Sequence, residues 1–554
     1  MQKKQLDNIY APACTGMSST RSKLIKATPI AVVAIAVYAF FKKVVYKDIV
    51  YYGNWELLKS VLGTAIIRFY IKIKECFFYK KKLKPKKLED VSKEWLMQVL
   101  YSAKVLKQST KISKIAVQKI DAGQTGQAGR LTLEYTNSAD AQAAQLPNSM
   151  IIKMSRQDFL GSLLNTITRL YEECKTYKTI LCEYKLPTCT AYYTDVDPLT
   201  KDFILLLEDA SFVHGFGYVK SSTISGILRD GRSQEEFADH YKKHYHDKLL
   251  PTDKPSLLYN PKTVDLALQY MKSAAKSIAK FHAKSWNSAK LLNELKSNKT
   301  VRFKNFARGI SLLAADWEKT KAKARSGKYE KTKPWRNAEN IAEFEKEIET
   351  AVLCPLYNMT RNSGCAGYRK KWRSFLNEDV YTELATSMGC FARIHGDFHV
   401  ENLFVRQFDN NVSSKDKEIV NTALVILDWQ VCGIGVPARD IGQLVSLSGL
   451  DQYHKRKFEK EIVETWWNEL ILNGVSDTEY PLSLAWAHYK YHHAATSATI
   501  LMLANTLKLF EDAGGTIYCM LVDSFREGIE RHGSAEKSFN EIQHVLDCMR
   551  GEVK

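Results

Sequence analysis

His395, Gly396 and Asp397 stand together in "FARIHGDFHVENLFVRQ", and Asn402 follows five positions after the aspartate. Thirty-one residues past Asp397, Asp428 closes the apolar run "ALVIL". These residue types in this order suit phosphoryl transfer. That reaction needs a carboxylate to orient an attacking hydroxyl and take its proton, and oxygen ligands to hold Mg²⁺ on the nucleotide phosphates. An Asp-x4-Asn loop presents the Asp397 carboxylate toward an acceptor and the Asn402 amide oxygen toward the metal. Asp428, at the mouth of the next strand, completes the metal site.

Parts that could hold ATP lie upstream. Gly123, Gly126 and Gly129 fall in "DAGQTGQAG", between the alternating runs "KIAVQKI" (114–120) and "RLTLEY" (130–135). Backbone N–H groups of such a loop can lie against phosphates. The G-x-x-G-x-x-G spacing departs from the protein-kinase pattern, so an ordinary hairpin turn is the other reading. Lys153 sits in the apolar strand "SMIIKMS", where a lysine needs a partner or a ligand. Glu173, twenty residues on, falls on the following helix and is a candidate to orient the Lys153 ammonium; Glu172 is the alternative. "FILLLEDA" would lead to the connection between lobes, with the backbone from Glu208 to Ala210 beside the adenine.

On these motifs the chain resembles the aminoglycoside phosphotransferase and choline kinase-like superfamily, in its ecdysteroid kinase-like branch. "LPNSMIIKMS", "EECKTY", "FILLLEDAS", "IAKFHAKSW", "IHGDFHVENLFV" and "LDWQVCGIGVPARDIGQLV" follow the family's order over about residues 92–530. The resemblance implies an α+β, two-lobed protein-kinase-like fold that transfers the ATP γ-phosphate to a small-molecule hydroxyl. By motif it implies Asp397 as catalytic base, Asn402 and Asp428 on Mg²⁺, and Lys153 and Glu173 as the ion pair. His395 and Asp440 would support the catalytic loop, with Asp440 bracing it rather than touching substrate. Tyr177, four residues past Glu173, fits the family's E-x-x-x-Y and favours Glu173 over Glu172. His282 matches a core-helix histidine with a structural hydrogen bond.

The remaining sequence divides into a tail over 1–87, a β-rich N-lobe over 88–210 and a mostly helical C-lobe over 211–540. "SKEWLMQVLYSA" reads as a helix burying Trp95, Leu96, Val99 and Leu100. "AYYTDVD" and "DFILLLEDA" read as strands, 215–262 as an irregular insertion, and the chain from 262 onward as mostly helical. His399 is expected to pack or face solvent rather than transfer protons, and Glu401 to lie outside the site. Trp466, Trp467 and "WAHYKYHH" (486–493) are expected in the core.

Of the net charge of +19, +12 falls in residues 1–90, and no nucleic-acid motif accompanies it. "ATPIAVVAIAVYAFF" (27–41) is uncharged and bounded by lysines. It is short for a span, which usually takes about 20 residues. With flanking residues it becomes a possible transmembrane segment over about 24–43; a signal peptide or a buried element are the other readings. Residues 57–87 end in six lysines and fit a basic amphipathic segment at an anionic membrane, or a charged linker. Eleven scattered cysteines without a C-x-x-C pair suit free thiols. With ATP as substrate, they place the kinase domain on the cytoplasmic face of a membrane-associated protein. A protein kinase is the nearest alternative, but Gly396 stands where arginine would follow the histidine, "DWQ" replaces DFG, and no A-P-E segment follows. A catalytically silent, membrane-tethered ligand-binding protein is the alternative of a different class.

Overall fold

The computed structural model describes residues 84–120, 126–143, 145–156, 165, 170–198, 200–213, 217–245, 253–297, 303–304, 389–407, 424–506 and 531. All belong to one compact unit, Lys81–Lys554. Ala27–Phe41, residues 57–83 and Gly123 lie outside the described residues, and with them most of the expected membrane-associating tail. Among the described residues, no helix is long and apolar enough to cross a membrane.

Runs alternating apolar and polar residues build the first lobe. Strands β1 (Ile112–Ile120), β2 (Gly126–Tyr135), β3 (Ser149–Ser155), β4 (Ala191–Val196) and β5 (Phe203–Glu208) form an antiparallel sheet in the order β1-β2-β3-β5-β4. Helix α1 (Lys93–Ser102) starts where Ser92 Oγ accepts the Trp95 N–H at 3.2 Å. Its buried residues Trp95, Leu96, Val99 and Leu100 pack with Leu131, Leu133, Met150, Ile152, Ile204 and Leu206 from the sheet. Because strand side chains alternate faces, Phe203, Leu205 and Leu207 of β5 point the other way. They join a second, larger core with Tyr177 and the helical lobe. Helix α2 (Ser138–Ala143) follows β2, and α3 (Glu172–Lys175) runs on into a π-helical turn at Thr176–Ile180.

Among the described residues of 215–262, strands and helices over 217–228 and 234–245 stand where an irregular insertion was expected. The two-residue strands β6 (Phe212–Val213) and β7 (Gly217–Tyr218) pair with each other. Next, β8 (Lys220–Thr223) adds to the sheet of the catalytic loop. Thr223 Oγ1 accepts the Gly226 N–H to cap α4 (Ile224–Leu228). Ser233 and Glu236 form a reciprocal capping box at the start of α5 (Gln234–Tyr245). That S-x-x-E signal is present in the sequence, where the polar composition of the stretch obscures it.

Helix α6 (Pro261–Lys284) opens with Asn260 capping and proline at the first position, and buries Val264, Ala267, Met271, Ala274, Ala275, Ile278 and Phe281. Helix α7 (Ala289–Ser297) and strand β9 (Phe303–Lys304) follow. Strands β10 (Ala392–Ile394), β11 (Leu403–Gln407), β12 (Leu424–Ile426) and β13 (Gly433–Gly435) make two small sheets, β10-β13-β9 and β12-β11-β8. Helices α8 (Ala438–Ser446), α9 (Gln452–Leu472) and α10 (Leu482–Thr506) complete the described part of this lobe. Trp466 is fully buried, and Trp467 Nε1 donates to the Tyr480 carbonyl at 2.9 Å, so both belong to the core as expected.

Candidate active site

The catalytic loop leaves β10 and enters β11 within nine residues, and hydrogen bonds fix almost all of it. The Asp440 carboxylate, fully buried on the first turn of α8, accepts the His395 N–H at 2.8 Å and the Gly396 N–H at 2.9 Å. His282 Nε2 donates to it from α6 at 3.0 Å. His282 is oriented in turn by the Trp466 indole N–H, 3.1 Å from its Nδ1. Burial opposes ionisation of Asp440, but the His282 hydrogen bond, the two nearby imidazoles and the loop N–H groups outweigh it. The carboxyl therefore lies below its ordinary pKa.

Gly396 has φ +82°, and a Cβ there would lie 2.6 Å from the Val431 carbonyl oxygen. Only glycine fits, which explains the residue after His395 in backbone terms. The His395 ring donates through Nε2 to the Leu427 carbonyl at 2.9 Å, and its Nδ1 faces the Asp397 N–H at 3.3 Å. It also stacks against Trp429 at 4.5 Å between centroids. Burial holds it below its ordinary pKa, with Asp440 and Asp397 only partly opposing. A neutral His395 thus ties the loop bearing Asp397 to the strand end bearing Asp428.

Asn402 Nδ2 donates to the Asp397 carbonyl at 2.9 Å and lies 3.4 Å from its carboxylate. The Leu427 N–H donates to the Asn402 carbonyl at 2.9 Å, placing Asp428 one residue from that contact. Asp428 itself adopts a left-handed backbone, φ 61° and ψ 63°, a strained conformation of the kind held at functional sites. On the other side, Lys153 Nζ lies 2.9 and 3.2 Å from the two Glu173 oxygens and 3.5 Å from Asp428 Oδ1. Glu173 is therefore the partner; Glu172 is half-buried, 3.9 Å from Lys175. Burial works against the Lys153 ammonium, and the Glu173 and Asp428 carboxylates outweigh it, so its pKa stands above that of an ordinary lysine.

The donor set suits Mg²⁺. It consists of a carboxylate and an amide oxygen, and Mg²⁺ takes few protein ligands and keeps water or phosphate oxygens for the rest. Among the described residues no group of three or more His, Cys, Asp or Glu gathers as a metal site.

Other expected residues fall as follows. Gly126 is the first residue of β2, paired with Ser155, and Gly129 lies within that strand rather than in the loop. Glu208 and Ala210 form the connection between lobes. Arg406 from β11 donates to Glu208 Oε1 and to the Ala210 carbonyl, both at 2.8 Å. Between them Asp209 accepts from Arg130 Nε at 2.7 Å and Ser149 Oγ at 2.6 Å. The Ala210 carbonyl is thereby occupied by Arg406. Glu401 is held outside the site by Ser225, Thr223 and Arg229, as expected.

Sequence reasoning undervalued His399, whose Nε2 is 3.5 Å from Asp397 Oδ1 and 3.2 Å from Asn402 Nδ2. Burial pushes Asp397 up and the His399 contact pulls it down, leaving the carboxyl below its ordinary pKa. Arg406 and Asp209 were missed as well. An arginine inside the apolar strand "NLFVRQ" was the available signal for the first.

The order of the parts is now complete: a five-stranded sheet with its Lys–Glu pair, a hinge pinned from both sides, and a helical lobe presenting Asp397, Asn402 and Asp428. The chain has a two-lobed α+β fold, a five-stranded antiparallel sheet followed by a mostly helical part. No family model and no curated protein matches the sequence. Among solved structures it is similar to choline kinase from Cryptosporidium parvum Iowa II, at 11% identity and a TM-score of 0.38, covering 81% of this chain and 97% of that one. It is also similar to Plasmodium vivax ethanolamine kinase, at 10% identity and TM-score 0.37, covering 78% and 88%. A third is the macrolide 2′-phosphotransferase of Brachybacterium faecium, at 10% identity and TM-score 0.32, covering 76% and 97%. None of the three fixes a substrate for this chain.

The Lys153–Glu173 pair makes a testable prediction. Lys153→Met is expected to lower turnover by about a hundredfold or more, through loss of a preorganised cation. It is also expected to lower the melting temperature, since Glu173, with a side chain only 4% exposed, loses its partner. Adding Glu173→Gln should recover the stability and not the turnover, a coupling that a double-mutant cycle reads directly.

Proposed function

We propose that the protein is a phosphotransferase that moves the γ-phosphate of ATP to a hydroxyl of a small molecule, in the presence of Mg²⁺. One observation carries this reading: Lys153 touches both Glu173 and Asp428, while Asn402 is hydrogen-bonded to Asp397 and to the strand end that bears Asp428. Nucleotide-holding, metal-holding and base functions thus meet at one place.

The chemistry follows from the residues. Asp397, ionised at neutral pH, orients the acceptor hydroxyl and receives its proton as the oxygen–phosphorus bond forms. The bond from the γ-phosphorus to the bridging oxygen breaks, and ADP leaves. Asn402 and Asp428 would hold Mg²⁺, which when bound neutralises charge on the phosphates. Lys153 positions the α- and β-phosphates, and the Ala210 N–H receives the base. The test is ADP release by the full chain with Mg-ATP, across pooled alcohols, amino alcohols and sterols. Acceptor-dependent release supports the assignment. Nucleotide binding without release in any pool would favour a silent ligand-binding protein.

We also propose that the basic N-terminal region, with its uncharged run Ala27–Phe41, associates the protein with a membrane and leaves the kinase lobes on the cytoplasmic face. The support is the charge pattern alone: +12 within residues 1–90 around fifteen uncharged residues. Full-length protein is expected to float with vesicles containing phosphatidylserine. Sedimentation free of both anionic and neutral vesicles would contradict the assignment.

A further inference from the structure

Arg439 is the residue whose surroundings the phosphotransfer reading leaves unused. It lies on the first turn of α8 beside Asp440, one helical turn before Gln443. Gln443 Oε1 accepts the Phe398 N–H at 3.1 Å, so this stretch of α8 faces the residue after Asp397. Arg439 Nε is buried and has no hydrogen-bond partner among the described residues. Its electrostatic neighbours are Asp440 and Asp397, and no ion pair within 4.0 Å joins it to either. Arg439 and Gln443, one turn apart on the same face of α8, thus both lie toward the loop that carries Asp397.

A second unsatisfied group stands near. His492 on α10 is 1% exposed, and neither of its ring nitrogens has a hydrogen-bond partner. Burial, then the Arg439 charge, hold it well below the ordinary histidine pKa, so the ring is neutral and carries one N–H donor. Its backbone packs hard on α8: a Cβ on Gly442 would come within 2.8 Å of the His492 carbonyl carbon. The position of His492 relative to Arg439 is therefore fixed. A buried guanidinium nitrogen and a buried imidazole without partners are costly unless a ligand satisfies them.

We infer that Arg439, assisted by His492, binds an anionic oxygen group, a carboxylate or a phosphoester, carried by the hydroxyl acceptor. Such an acceptor would otherwise be repelled by the Asp397 carboxylate, and an arginine that makes no direct ion pair among the described residues offsets that repulsion. The Asp440 carboxylate acts on Arg439 through its charge, while its oxygens accept from His282, His395 and Gly396 rather than from the guanidinium. The inference rests on the phosphotransfer reading for the word acceptor, and on geometry for the anion.

The test is calorimetric titration of the full chain, saturated with Mg²⁺ and a non-hydrolysable ATP analogue, using glycerate, glycerol 3-phosphate and glycerol as probes. Filling the nucleotide site first keeps the phosphoester probe out of it. At least one anionic probe is expected to bind about tenfold or more tighter than glycerol. Arg439→Met is expected to weaken that probe by about ten- to a hundredfold and leave glycerol unchanged. The two anionic arms separate a carboxylate from a phosphoester. Equal binding of all three probes, no binding of any, or full anion affinity in a folded Arg439→Met would overturn the inference. If Arg439→Met melts early, Arg439→Lys is used, with the anion preference expected to be weakened but retained. Failure to bind the nucleotide analogue is a separate result and counts against the phosphotransfer reading itself.

Discussion

Replacing Asp397 by asparagine is expected to cut phosphotransfer by about a hundred- to ten-thousandfold while leaving Mg-ATP bound. The magnitude is that of losing a positioned general base. Binding should survive because the nucleotide-holding groups are elsewhere: Lys153 on β3, Asp428 beyond β12 and the hinge backbone at Ala210. Folding should survive too, since the Asp397 side chain is 29% exposed and makes only the longer loop contacts, 3.4 Å to Asn402 Nδ2 and 3.5 Å to His399 Nε2, while its N–H and carbonyl hold His395 and Asn402. The acid limb of the pH–rate profile should lie below the ordinary carboxylate range, because the His399 contact outweighs burial and holds the Asp397 pKa down. Single-turnover rates and an independent nucleotide-binding isotherm on the same preparation check both halves. A variant with wild-type turnover would remove Asp397 from the base role.

The second large effect concerns stability. Asp440→Ala is expected to cost on the order of 3–5 kcal/mol, a large part of the 5–15 kcal/mol that holds a domain together. Three donors lose their acceptor at once, namely His282 Nε2, the His395 N–H and the Gly396 N–H, all in fully buried surroundings. The pH dependence has a definite sign. The folded Asp440 pKa is depressed below the unfolded value of about 3.9. Its contribution is therefore present above that value and is lost as pH falls through the folded pKa. Asp440→Ala and Asp440→Asn should both flatten the acid side of the stability profile, since neither side chain ionises, with Asp440→Asn the less costly of the two. Denaturant unfolding across the acid range reads this. An unchanged profile would mean that Asp440 does not brace the loop.

How much of this was legible beforehand differs by element. The proposed site was readable because phosphoryl transfer restricts residue type and spacing together, so Asp397, Asn402 and Asp428 could be proposed from one loop and one strand, and the structure brings these three residues together. Glu173 was separable from Glu172 only through Tyr177, and the structure makes the choice by position: one carboxylate is buried on Lys153, the other is half-buried beside Lys175. The segment over 215–262 was misread because polar composition hid a capping box and a strand whose role is to add to β11. Gly126 and Gly129 were placed in a loop because strand ends are poorly marked by glycine. Asp209, Arg406, His399 and Arg439 act through contacts with residues distant in sequence, or through loop folding, which no local period encodes. Arg130 and Ser149, for example, reach Asp209 across 79 and 60 residues.

The central claim is that phosphate leaves ATP for a small hydroxyl compound. The most direct measurement follows the γ-phosphate itself: full-length protein is given Mg-ATP labelled at that position together with the acceptor pools, and the label is partitioned by size. The account predicts label in a small organic product, one for each ADP formed, abolished by chelation of Mg²⁺ and by Asp397→Asn. Label found only in inorganic phosphate or on protein would contradict it.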